Sequence, residues 1–132
     1  MKLFIHTDGG ARGNPGPGAI GVAILNDQKK LIKEIGKFIG RSTNNEAEYK
    51  AVVEGLKTCK EMGGKELKFF IDSLLVVSQL NGKFKIKEPR MKKFYLEIKE
   101  LEKNFESVTY LHVPREKNYM ADKIVNEVLD AL

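Results

Sequence analysis

Apolar and polar residues follow two rhythms along this chain, and the change falls near Thr43. Before it, short apolar runs alternate with turn-forming residues. "KLFIHT" at residues 2–7 predicts a strand ending at Asp8, "AIGVAIL" at 19–25 a second, and "LIKEIGKFIG" at 31–40 a third, irregular at Gly36. The polar "NDQKK" between the last two reads as a turn, so an antiparallel meander is expected. After Thr43 the spacing turns helical. "TNNEAEYKAVVEGLKTCKEMGG" predicts a helix with Thr43 or Asn44 near its cap and Gly63–Gly64 as its stop. "ELKFFID" suits a central strand buried on both faces. "SLLVVSQLNG" is a short helix stopped by Gly82, and Met91, Phe94, Tyr95, Ile98, Leu101 and Phe105 place another helix from Arg90 to about Lys103. "SVTYLHV" is the last strand. Ala121, Ile124, Val125, Val128, Leu129 and Leu132 then mark a terminal amphipathic helix. The order β-β-β-α-β-α-α-β-α implies an α/β fold: a five-stranded mixed sheet with helices on its faces.

One segment resists this pattern. "HTDGGARGNPGPG", residues 6–18, is longer than the ~2–5 residues a hairpin loop needs. It is either a slack connection or a binding element. Its "GPGAIG" formally fits the dinucleotide fingerprint through Gly16, Gly18 and Gly21, but that fingerprint needs a helix next, and a strand pattern follows.

Composition changes the picture little. At 132 residues, 42% hydrophobic and 31% charged, the chain reads as one ordered domain with a real core, 1–132. No run approaches the ~18 apolar residues of a membrane span, and the first residues are too short for a signal peptide, so a cytoplasmic protein is expected. Cys59 stands alone and reads as buried filler. Charge is more informative. The net charge is +5, and "GKFKIKEPRMKK" gathers Lys83, Lys85, Lys87, Arg90, Lys92 and Lys93, which suits a polyanionic partner or a solvated basic linker.

Acids at the ends of predicted elements carry the chemistry. Asp8 ends the first strand and Asp72 the fourth, the location where ligands gather in such sheets. Taken singly, an Asx turn or a helix cap accounts for either. On the first long helix, Glu46 stands four residues before Lys50, an exposed ion-pair spacing, and Glu54 also reads as surface. Glu48 differs, because Ala51, Val52 and Gly55 share its face. A carboxylate pressed on the sheet needs a partner, and a cation is the candidate. Asp122, near the start of the last helix, is the fourth acid; alone, it is a favourable anion at a helix start. Four converging carboxylates repel one another without a cation, and all-oxygen ligation favours Mg²⁺ or Mn²⁺.

In order along the chain, "TDGGARGNPGPGAIG", "TNNEAEYKAV", "FFIDS" and "VPREKNYMAD" resemble the motifs of the ribonuclease H type 1 family, in a compact form without the basic insertion of some relatives. The resemblance spans essentially the whole chain. It implies a ribonuclease-H-like fold and a metal-dependent endonuclease that hydrolyses the RNA strand of RNA/DNA hybrids by a two-metal mechanism, leaving 5′-phosphate and 3′-hydroxyl ends. Asp8, Glu48, Asp72 and Asp122 fall on the family's four acidic positions, holding two Mg²⁺ ions or Mn²⁺. Asp8 is expected to bridge both ions, with Glu48 and Asp72 on one and Asp122 on the other. The resemblance also implies that Asn14 and the backbone at Gly13 face the hybrid's minor groove, that Asn44 and Asn45 contact bases or sugars, and that Thr43 holds a DNA-strand phosphate; helix capping is the plainer role of 43–45. The expected partner is the hybrid, bound by a monomer, with no membrane and no organic cofactor.

The chain departs from the pattern in places. It has no Trp, and the basic segment at 82–93 stands where relatives carry the insertion. A catalytic His in many relatives precedes the last acid by ten residues; His112 has that spacing but reads as a strand end, while Arg115 lies on the following loop and is the expected auxiliary residue. Two other readings stay open: a hybrid-binding module without catalysis, which would not need the four acids, and the nuclease portion of a larger polymerase-type enzyme. The start at Met1 favours a standalone protein.

Overall fold

A computed structural model describes all of residues 1–132. The elements are β1 (Lys2–Ala11), β2 (Gly16–Leu25), β3 (Leu31–Ser42), α1 (Asn44–Glu61), β4 (Glu66–Ile71), α2 (Leu74–Leu80), α3 (Pro89–Glu102), β5 (Ser107–His112) and α4 (Tyr119–Asp130), with one 3-10 turn at Arg115–Lys117 before α4. The sheet runs β3-β2-β1-β4-β5. β1, β2 and β3 pair antiparallel, and β4 and β5 add parallel to β1 through helical crossovers. This is the expected α/β architecture.

Alternation along the strands sorts the helices. Leu3, Ile5, Val22, Ile24, Leu67, Phe69 and Ile71 point to one face, where Tyr49, Val52 and Leu56 of α1, Val76 and Leu80 of α2, and Ile98 of α3 close the main core. Each of these side chains contributes about 1.5–3 kcal/mol by leaving water. The other face receives α4 alone, whose Val125 and Leu129 pack on Ala19 of β2. Residues of β2 that face α4 are small (Ala19, Gly21, Ala23), and those facing α1 are large (Ile20, Val22, Ile24).

Three expectations change. The strand covered on both faces is β2, not β4: α4 lies over β1, β2 and β3, so Lys68 and Phe70 of β4 stay half-exposed. The glycine-rich segment is mostly strand. Gly9, Gly10 and Ala11 pair with Ile20, Ala19 and Gly18, which leaves a connection of only Arg12 to Pro15. Low strand propensity hid these glycines, while the close helices above them demand small residues. Glu46 is buried, not an exposed partner of Lys50. It completes a capping box with Thr43, accepting from the Thr43 N–H at 3.1 Å while Thr43 Oγ1 accepts from its own N–H at 3.1 Å. Its carboxylate also meets Arg90 at 3.5 Å, joining the starts of α1 and α3. Cys59 is buried, as expected.

Candidate active site

β1 and β4 run side by side in the same direction, with Phe4 opposite Lys68 and His6 opposite Phe70. Two residues on, Asp8 and Asp72 therefore arrive together. α1 supplies Glu48 because Gly9 lets it come close: a Cβ on Gly9 would sit 2.2 Å from the Ala47 carbonyl carbon. At this contact the Gly9 N–H donates to Glu48 Oε1 at 2.8 Å. Carboxylate oxygens of Asp8, Glu48 and Asp72 lie within 4.8 Å of one another. A second glycine seats the fourth acid. A Cβ on Gly21 would lie 2.4 Å from the Ala121 carbonyl oxygen, so α4 rides directly on β2 and the next residue, Asp122, reaches the same cleft.

The cleft has a volume of about 510 Å³ and is also lined by Arg12, Asn44, Asn45, Ser73, Arg115 and Asn126. Burial pushes the Asp8 carboxyl up to about 7, with the charges of Asp72 and Asp122 adding to it and the Gly9 N–H opposing it. Burial also raises Glu48 well above the usual carboxylate range, followed by Asp8 and Asp72. Asp122 is held differently. Arg115 donates to its Oδ1 at 3.2 Å, and Asn126 to its Oδ2 at 3.4 Å. The Asp122 carboxylate in turn raises the Arg115 pKa further.

Three buried or half-buried carboxylates within reach of one small ion, with only one backbone N–H among them, fit a hard divalent cation. The donor set is all oxygen, and no thiol or imidazole joins it.

The remaining residues singled out from the sequence divide into two groups. Asn44 and Asn45 line the cleft. Gly13, Asn14 and Thr43 do not, but they frame it: Asn14 Oδ1 accepts from the Asn44 N–H at 3.0 Å, and Asn44 Oδ1 accepts from the Ala11 N–H at 2.9 Å. Gly13 carries φ +92°, which suits glycine. Arg12 pairs with Asp130 at 2.5 Å, so the β1–β2 connection is tied to both α1 and α4. Arg115 lines the cleft; His112 is exposed at the end of β5 and does not. The basic segment forms a separate groove of about 400 Å³, where Lys85 and Lys92 stand beside Phe84, Ile86, Tyr95 and Gln79. Sequence reasoning missed Gly9, Gly21 and Asn118. The doubled glycine after Asp8 and an Asn directly before the last helix were their signals.

Comparison with known proteins gives a consistent neighbourhood. The family described as "Reverse transcriptase-like" matches residues 6–128. A bifunctional protein of Mycobacterium tuberculosis is 39% identical over 99% of the chain, which spans only 36% of that protein's length. A ribonuclease H of Clostridium botulinum is 34% identical, covering 98% of the chain and 96% of the relative. Among solved structures, ribonuclease H1 of Halobacterium salinarum superposes with a TM-score of 0.97 at 35% identity, covering 100% of each chain. A ribonuclease H1 isolated from compost, solved in complex with an RNA/DNA hybrid, has a TM-score of 0.90 at 39% identity, covering 95% of this chain and 94% of its own.

Proposed function

The chain belongs to the ribonuclease H type 1 family, and we propose that residues 1–132 act as one catalytic domain that hydrolyses the RNA strand of RNA/DNA hybrids. The observation that carries this is the convergence of Asp8, Glu48 and Asp72 within 4.8 Å in an open cleft that also holds Asp122 and Arg115. Asp8, Glu48, Asp72 and Asp122 would hold two divalent cations, Mg²⁺ or Mn²⁺, with Asp8 between the two. When bound, such a pair supplies a nucleophile from water at neutral pH and charge stabilisation for the leaving 3′-oxygen. The products carry 5′-phosphate and 3′-hydroxyl ends.

The chain's own groups divide the remaining work. Asn14 has its carbonyl oxygen engaged, so its NH₂ is free to donate toward 2′-hydroxyls and base acceptors in the wide A-like minor groove. Asn45 offers both its donor and its acceptor there. Thr43 Oγ1 already accepts from Glu46, so its O–H is what remains for a DNA-strand phosphate. Arg115 stands over the acids as a fork of donors for the scissile phosphate, charged at every working pH. It is the auxiliary catalytic residue in this reading, and His112 is not.

The net charge of +5 favours a polyanion. No helix is long and apolar enough to cross a membrane. The reading is of a cytoplasmic monomer that needs no organic cofactor. The test is a substrate panel of labelled RNA/DNA hybrid, duplex RNA and duplex DNA, each with Mg²⁺, Mn²⁺ or EDTA. Cleavage of the hybrid's RNA strand alone, abolished by EDTA, is expected. Equal cleavage of duplex DNA, or cleavage in EDTA, would contradict the assignment.

A further inference from the structure

Behind the cleft lies a buried amide that does not line it. Asn118 is 0% exposed and starts α4. Its Nδ2 donates to the Thr7 carbonyl at 2.9 Å, directly before Asp8. That carbonyl can only accept, so the amide oxygen must face the other way, toward His6 Nδ1 at 3.0 Å. An amide oxygen also only accepts, so Nδ1 carries the imidazole hydrogen. The His6 ring stacks on Phe70, with centroids 4.8 Å apart and planes at 19°. The Asn118 backbone is engaged too: its N–H donates to the Arg115 carbonyl at 2.9 Å, and its carbonyl accepts from the Asp122 N–H at 3.1 Å. One residue thus touches the strand of Asp8, the turn of Arg115 and the helix of Asp122.

We propose that His6 and Asn118 are a positioning pair: the imidazole fixes the Asn118 amide, and the amide sets the span between Asp8 and Asp122, hence the hold on the cation these two acids share. The inference rests on the acids being ligands, as proposed above. Neither side chain lines the cleft, so neither is expected to touch the hybrid. Without the imidazole N–H, the buried amide oxygen would be left unpaired, and the amide would lose its fixed orientation.

The experiment counts bound Mn²⁺ by electron paramagnetic resonance on the full chain, with melting in EDTA alongside. His6→Phe keeps a ring on Phe70 and removes the donor. The weaker of two Mn²⁺ sites should lose about 10-fold in affinity or more, the range for residues that orient a ligand. KM for the hybrid should not change, and kcat should recover at saturating Mn²⁺. His6→Asn puts an amide N–H where Nδ1 was and should restore most of the affinity, to within about 3-fold on the same scale. A purely structural role would lower the melting temperature of both variants without separating them in Mn²⁺ affinity. Equal Mn²⁺ affinity in the parent and His6→Phe overturns the proposal. If His6→Phe is unfolded in EDTA, Asn118→Ser decides: it keeps a capping residue type, loses the reach to Thr7 and His6, and should show the same loss, while unchanged affinity overturns the proposal. Failure of the ligand reading looks different, because Asp8→Asn would then bind Mn²⁺ as well as the parent does.

Discussion

The four acids reach the cleft by two routes, and the routes differ in kind. Asp8, Glu48 and Asp72 come from strand ends and from a helix pressed against them. Asp8 is 8% and Glu48 7% exposed, and their position follows from backbone contact at Gly9. Asp122 comes from α4 on the other face. Its side chain is 28% exposed and rests on Arg115, whose side chain is 76% exposed. The first region is built into the core; the second is held by long side chains that a substrate or ion can replace. A surface ion pair of this kind contributes only about 0–1 kcal/mol, so Arg115 can leave Asp122 at little cost. Buried Asp8 and Glu48 have no such freedom, and half-buried Asp72 stands beside them at the end of β4. A rigid half and an adjustable half therefore face each other across one cleft, and each can be disturbed without the other.

The largest effect is expected from Asp8, Glu48 and Asp72. Asp72→Asn should lower hybrid cleavage by on the order of 10³-fold or more while hybrid binding survives, because groups that act as a unit fail together. Asp122→Asn, on the adjustable side, should cost less and respond more to raised Mn²⁺. Single-turnover cleavage and a filter-binding isotherm on both variants would show the ordering. Equal losses would erase the distinction between the two regions.

Next comes the residue that rests on Asp122. Arg115→Ala should reduce kcat by about 10²-fold, the usual cost of one charge-stabilising donor, with little change in KM. Arg115→Lys should recover only part, since an ammonium lacks the guanidinium fork. His112→Ala should be nearly neutral. Steady-state kinetics on the three variants check this; a crippled His112→Ala beside a near-normal Arg115→Ala would reassign the role.

A smaller effect isolates the backbone contact. Gly9→Ala forces a methyl against the Ala47 carbonyl and should destabilise the protein by about 1–3 kcal/mol, moving Glu48 with α1. Urea unfolding reads the stability. Activity should fall further than stability explains if Glu48 placement depends on this contact.

The most subtle expectation concerns pH in metal-free protein. The folded-state pKa of Asp8 lies near 7, above its ordinary 3.8, and that of Glu48 is raised as well. Between those values the folded chain holds more protons than the unfolded one. This contribution to stability is complete below pH ~4 and is lost as pH rises through ~7. Melting in EDTA should therefore show a falling stability from pH 5 to 8, on the order of 2 kcal/mol shallower in Asp8→Asn. An Asp8→Asn slope equal to the parent's would mean that the trio is not strained by its own charge.

The same contrast separates what is legible in the sequence from what is not. Glu48 was legible because Ala51, Val52 and Gly55 share its helical face, which marks a buried carboxylate. Asp8 and Asp72 were legible only as element ends, and family resemblance raised them above turn and cap residues. Element order and the amphipathic α4 followed from periodicity. What periodicity cannot show is depth. Gly9 and Gly21 looked like loop and strand glycines, yet their missing Cβ atoms set how closely α1 and α4 approach. Glu46 looked solvated because i,i+4 spacing to Lys50 says nothing of the capping box that turns it back on Thr43. Asn118, directly before the last helix, looked like a cap and no more, since its partners Thr7 and His6 lie over a hundred positions away.

The central claim is that Asp8, Glu48 and Asp72 form a ready cation site and Asp122 joins it second. Crystals soaked in a low concentration of Mn²⁺ and measured at the manganese absorption edge test it directly. The account predicts a first anomalous peak among Asp8, Glu48 and Asp72, with Arg115 still on Asp122, and a second peak between Asp8 and Asp122 only at higher Mn²⁺ or with hybrid bound. A first peak at Asp122, or none among Asp8, Glu48 and Asp72, would contradict it.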